Sequence, residues 1–139
     1  MNLAILKLDP AQWKSMSLHA HLAVFGEKRF EDMDRIDFVL LGVDHQEDKP
    51  IGYISVRELD KDSVYWQHGG SLPPIKDTIY SFKLYQEMVR WTFDRYQRVT
   101  TLIENDNAVY LKMAAKVGFK IIGCRTFKGK VLLEHLLEK

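Results

Sequence analysis

The chain has 139 residues, 46% of them hydrophobic, 12% aromatic and 28% charged. That length predicts one domain, residues 1–139, with enough apolar material for a sizeable core. A formal charge of +1 gives no field to attract nucleic acid or an anionic membrane, and no apolar run reaches the ~20 residues that span a bilayer.

Asn2 to Leu8 reads as a first strand. Asp9 then Pro10 is an N-cap followed by proline at the first helical position. Trp13, Met16, Ala20 and Val24 recur at helical spacing, which predicts one helix to about Phe25 or Gly26. Lys28 to Arg35 is charged and reads as a loop or short helix. His19 and His21, two apart, point in different directions on a helix and make no metal pair; one is expected exposed and one half-buried.

Three strands follow: Ile36–Val43, Ile51–Leu59 and Ser63–His68, the last rich in β-branched and aromatic residues. Gly69-Gly70-Ser71-Leu72-Pro73-Pro74 reads as a break in regular structure. From Asp77 to about Gln97 runs a long amphipathic helix, capped by Asp77 or Thr78. Its predicted apolar stripe is Ile79, Phe82, Val89, Phe93 and Tyr96, with Tyr85 and Met88 beside it. Val99–Ile103 is a strand, and Asn107 or a neighbour starts a helix through Val117, stopped by Gly118. Lys120–Phe127 and Val131–Leu137 form a hairpin about Lys128-Gly129-Lys130.

This order predicts an α+β layer in which helices pack on a largely antiparallel sheet. Cys124, the lone cysteine, excludes an intrachain disulfide and fits a reducing, cytoplasmic compartment; its strand setting predicts a buried or half-buried thiol. The N-terminus lacks the zones of a signal peptide, and nothing in the sequence reads as a metal site. The basic residues of the long helix alternate with Glu87 and Asp94, a solvated face rather than a nucleic-acid surface.

The stretch Thr101–Gly123, TLIENDNAVYLKMAAKVGFKIIG, behind the long helix resembles the C-terminal half of the GNAT (Gcn5-related) N-acetyltransferase superfamily. The resemblance implies a GNAT-like fold: a mixed, largely antiparallel sheet of about six to seven strands with helices on both faces. It implies an acetyl-CoA-dependent N-acetyltransferase in which a small-molecule or protein amine attacks the thioester directly. Acetyl-CoA, as substrate, would lie where the fourth and fifth strands diverge.

Setting Pro73 and Leu84 on the family's loop puts Lys76 where Arg or Gln is usual, Ile79 on the first glycine and Ser81 on the second Gly or Ala. Lys76, Ser81, the backbone from Trp66 and Gln67 to Gly69, and Asn107 (Asn105 as second choice) are the implied cofactor-binding residues. Asn107 and Gly118-Phe119 match the family's Asn and Gly-Phe. The family's helix Tyr falls on Ala114, with Tyr110 one turn earlier as a substitute acid. Glu58 or His68 is the candidate general base. Homodimers are common among GNAT-like proteins.

The alternative is a catalytically inactive GNAT-fold protein with a binding or structural role, of the small divergent kind found in bacteriophage genomes. The Pro73–Ser81 loop discriminates. Amides converging on an open cleft favour the enzyme; a cleft filled by Ile79 and Pro74 favours the inactive protein.

Overall fold

The computed structural model describes residues 1–26 and 35–139. Residues 28–34 of the charged loop-or-helix segment lie outside the described residues. The element order is β1 (Leu3–Leu8), α1 (Pro10–Lys14), α2 (Ser17–Phe25), β2 (Phe38–Asp44), β3 (Lys49–Asp60), β4 (Ser63–Ser71), α3 (Ile79–Phe93), β5 (Arg98–Glu104), α4 (Ala108–Val117), β6 (Lys120–Phe127) and β7 (Lys130–Glu138).

The strands form one seven-stranded sheet in the order β1-β2-β3-β4-β5-β7-β6. Every neighbouring pair is antiparallel except β4 with β5. This is the α+β, largely antiparallel sheet that the element order predicts.

Alternation along β2 explains why both faces are covered. Phe38 and Leu40 pack with Leu84, Tyr85 and Met88 of α3 and Ala114 of α4. Val39, Leu41 and Val43 point the other way, into a second core with Trp13 of α1 and Ala20 of α2. All seven β2 residues are buried, as a strand sandwiched between helical layers requires.

α3 approaches the sheet closely because Gly42 and Gly52 lack side chains. A Cβ on either would come within 2.5 Å of a Leu84 methyl. Burying a leucine there contributes about 1.5–3 kcal/mol.

The single helix expected from Pro10 to Phe25 is two helices. Asp9 caps the first in a capping box with Gln12. Around Ser15-Met16-Ser17 the ladder breaks, and Ser17 Oγ donates to the Lys14 carbonyl at 3.3 Å. Serine side chains compete for backbone groups in this way. The apolar stripe of α3 is also rotated from the predicted one. Leu84, Tyr85, Met88 and Thr92 are its buried residues, while Ile79 is 68% exposed at the first helical position.

β4 does not stop at His68. Gly69, Gly70 and Ser71 continue it, paired with Ile54, Tyr53 and Gly52. The hairpin turn stands as read: Lys128 and Gly129 have φ of 50° and 77°, the left-handed pair of a two-residue hairpin loop. His19 is exposed, but His21 is fully buried rather than half-buried, because α2 turns it onto the sheet. Cys124 is exposed, contrary to expectation, because β6 is an edge strand with little covering it.

Candidate functional site

β4 and β5 run together only from Ser63–Trp66 against Arg98–Thr101. The buried Thr101 hydroxyl donates to the Trp66 carbonyl at 3.0 Å and closes the paired stretch. Beyond it β4 continues to Ser71 and β5 to Glu104, and the strands separate.

The separation follows a bulge. Ile54 faces Gly69 and Val56 faces Trp66, so Gln67 and His68 of β4 oppose Ser55 alone. Ser55 is fully buried, accepts a hydrogen bond from the His68 N–H at 3.1 Å and donates to the His68 carbonyl at 3.3 Å. One hydroxyl thus satisfies the peptide groups that the bulge takes out of the ladder.

Two cavities meet at this fork. One, of about 600 Å³, lies between the end of β4, the start of α3 and α4. The other, of about 1040 Å³, lies between β4, β5 and the β6–β7 hairpin. Val24, Phe25, Ile54, Gly69, Asn107 and Tyr110 line both, so the two are halves of one cleft.

Among the described residues the first half is cationic: Lys76, Lys112 and Lys116 line it with Asp77 as the single carboxylate. Ser81 lines it too, its hydroxyl bonded to that of Ser71. Gly70 lets α2 close over this half, since a Cβ there would come within 2.4 Å of Val24 Cγ1. Ile79 does not line the cavity, and Pro74 is exposed. The loop before α3 therefore leaves the cleft open. Asp77 takes a φ of 63° and Thr78 caps the helix by accepting from the Tyr80 N–H.

Asn107 caps α4, its Oδ1 accepting from the Tyr110 N–H at 3.2 Å. That fixes the helix start and puts Tyr110 at the junction of the two halves. The Tyr110 ring meets Tyr85 edge-on, with centroids 5.3 Å apart. Burial pushes the Tyr110 phenol up to about 12, and burial, then Tyr110 itself, pushes Tyr85 well above its ordinary range. Tyr110 therefore keeps its proton at neutral pH. Ala114, where the resemblance sets the family's tyrosine, is fully buried in the core.

In the second half, His68 packs against Phe25 and His21, with ring centroids at 6.1 and 5.6 Å. His21 Nδ1 meets the Tyr53 hydroxyl at 2.7 Å behind them. Gln67 and Trp66 line this half; the indole itself turns into the core against Tyr85 and Phe119. Burial raises the Tyr65 phenol, against the opposing pull of Arg125 and Arg57.

Of the residues singled out from sequence, Trp66, Gln67, His68, Gly69, Lys76, Ser81, Asn107 and Tyr110 line the cleft, and Asn105, the second choice to Asn107, does not. Nor does Glu58. It lies near the β3–β4 turn, paired with Val64, and its carboxylate accepts from the Tyr96 hydroxyl at 2.8 Å. Lys112 and Lys116 were missed; two lysines four apart on a helix read equally as a solvated face. No cluster of metal-ligating side chains occurs among the described residues, and no described helix is long and apolar enough to cross a membrane.

No family model matches the chain, and no curated protein matches it by sequence. Solved structures do match. Spermidine N-acetyltransferase from Vibrio cholerae, in complex with CoA and spermine, superposes with a TM-score of 0.76 at 12% identity, covering 99% of this chain and 95% of that one. The ribosomal-protein-S18-alanine N-acetyltransferase of Escherichia coli gives 0.76 at 11% identity, covering 98% and 93%. An IAA acetyltransferase from Bacillus cereus gives 0.74 at 11% identity, covering 99% and 100%. The chain has a GNAT-like α+β fold.

Proposed function

We propose that this protein is an acyl-CoA-dependent N-acyltransferase, with acetyl-CoA the expected donor. One observation carries the reading: the forked β4–β5 cleft has a cationic half and a separate second half, joined at a protonated phenol. Two of the matched N-acetyltransferase folds, at 11 and 12% identity, support the same class.

The residues present fit a CoA thioester. Lys76, Lys112 and Lys116 would meet its phosphates as point charges. Gly69 and Gly70 keep the strand edge free of side chains where an extended arm would lie. The second half would receive the amine. His68 stands there as the candidate base that takes the ammonium proton, and Tyr110 as the acid that protonates the departing thiolate. Glu58, held by Tyr96 away from the cleft, has no part in this scheme.

The inactive alternative rests on Ala114 and Ile79, and on loop amides at Ile75, Lys76, Thr78, Tyr80 and Ser81 that donate within the loop; against it, neither Ile79 nor Pro74 fills the cleft, and Tyr110 stands at the fork. Thermal stability with and without acetyl-CoA tests the choice. Ligand at a hundred times its dissociation constant adds about 2.7 kcal/mol, roughly 10 °C for a chain of this size. Replacing Lys112 and Lys116 together by Gln should remove most of that shift. No shift at millimolar acetyl-CoA would eliminate the proposal.

A further inference from the structure

We infer that Tyr85 is a positioning residue for Tyr110: its hydroxyl donates to the Tyr110 oxygen as that oxygen gives its proton to the departing thiolate. This rests on the acyltransferase reading and deepens it by naming what makes Tyr110 a usable acid.

The first observation is placement. Tyr85 comes from α3 and Tyr110 from α4, and both line the cationic half of the cleft. Their rings meet edge-on, with centroids 5.3 Å apart. Trp66 and Phe119 pack on the Tyr85 ring, at 5.8 and 6.4 Å between centroids, and fix it beside Tyr110.

The second observation is an unused donor. Tyr85 is 4% exposed, and among the described residues its hydroxyl has no hydrogen-bond partner in the resting geometry. A buried hydroxyl without a partner costs stability, and phenylalanine would fill the same space without that cost. The two hydroxyls are still close enough for each to shift the other's titration. After burial, Tyr110 raises Tyr85; against burial, Tyr85 lowers Tyr110. Those signs are the ones expected with Tyr85 as donor and Tyr110 as acceptor.

The chemistry needs such a donor. Tyr110 ionises at about 12, whereas an alkanethiol such as cysteine's ionises near ~8.5. Proton transfer from this phenol to a thiolate runs uphill unless the new phenolate is stabilised. A hydrogen bond to an anionic oxygen is roughly twice as strong as one to a neutral oxygen, so Tyr85 contributes most when charge appears on Tyr110. In the step the N–C bond forms, the C–S bond breaks and the sulfur takes the Tyr110 proton. Tyr85 keeps its own proton throughout. The proton lost by the acylated nitrogen restores Tyr110 through solvent.

The test is a double-mutant cycle of Tyr85→Phe and Tyr110→Phe. Thiol release from acetyl-CoA is followed with the most active of phenylalanine, phenethylamine and spermidine as acceptor. Tyr85→Phe should melt at or above the parent's temperature, because the lost hydroxyl is unpaired in the resting fold. Its kcat should fall about tenfold, the size of one hydrogen bond to a charged oxygen. KM for acetyl-CoA and the thermal stabilisation by acetyl-CoA should stay unchanged. In the Tyr110→Phe background the same replacement should alter kcat by no more than about twofold, since Tyr85 acts through Tyr110. A Tyr85→Phe kcat equal to the parent's overturns the inference. So does an equal loss in both backgrounds, or a loss matched by weaker acetyl-CoA binding. Thermal stabilisation of the parent by acetyl-CoA separates the two claims: with it, any of those results sinks the role of Tyr85 alone, whereas its absence sinks the acyltransferase reading beneath it.

Discussion

Ser55→Ala should unfasten the bulge on which the cleft depends. The Ser55 hydroxyl makes two hydrogen bonds, 3.1 Å from the His68 N–H and 3.3 Å to the His68 carbonyl, at a fully buried position. Alanine removes both at a position closed to bulk solvent. Leaving a buried peptide group unsatisfied costs about 1–3 kcal/mol. A loss of about 2 kcal/mol corresponds to roughly 8 °C in melting temperature for a chain of this length. Urea unfolding should show a lower midpoint at an unchanged slope, since the surface buried on folding stays the same. Acetyl-CoA affinity should fall as well, because the β4 segment beyond the bulge, Gly69–Ser71, lines the cationic half of the cleft. A variant within 0.5 kcal/mol of the parent, with undiminished acetyl-CoA affinity, would refute the reasoning that Ser55 holds the fork open.

Tyr110→Phe should lower kcat about a hundredfold, the order of a lost general acid, with little change in KM for acetyl-CoA; steady-state kinetics checks this, and an unchanged kcat removes Tyr110 from the chemistry. Alkaline titration gives a signed expectation for the same residue. Unfolded tyrosine ionises near pH ~10 and folded Tyr110 at about 12, so the unfolded state loses its proton first. Stability is full below pH ~10 and falls by a few kcal/mol on passing pH ~12. Tyr85 acts in the same direction. Denaturant midpoints that stay flat to pH ~12 would contradict the burial of both phenols. Gly69→Ala sets a Cβ 2.5 Å from the Tyr53 carbonyl oxygen, a backbone atom that cannot swing aside; calorimetry should show about 1–3 kcal/mol of destabilisation.

The order of elements was legible because strand and helix periods alternate cleanly and Gly118 stops α4 where a left-handed residue is needed, at a φ of 104°. What hid was any residue with two physical uses. Gly69 and Gly70 read as a break, yet they lie within β4, where a Cβ would strike the Tyr53 backbone or the Val24 side chain. Ile79 read as core, because its apolar side chain fits a helical stripe; at the first helical turn it lies outside the packed face. Lys112 and Lys116 carried no signal until α4 was seen to face α3 across the cationic half of the cleft. Glu58 looked like a base by residue type and nearness in sequence to β4, and only the strand register showed that it pairs with Val64, at the far end from the fork.

Acyl transfer itself is tested most directly by incubating the protein with acetyl-CoA and an amine acceptor, then measuring thiol release and the mass of the acceptor together. One acetyl group, a gain of about 42 Da, is expected on the amine for each thiol released, with both signals about a hundredfold lower in Tyr110→Phe. Thiol release no faster than in the protein-free blank, with phenylalanine, phenethylamine and spermidine alike, would contradict it.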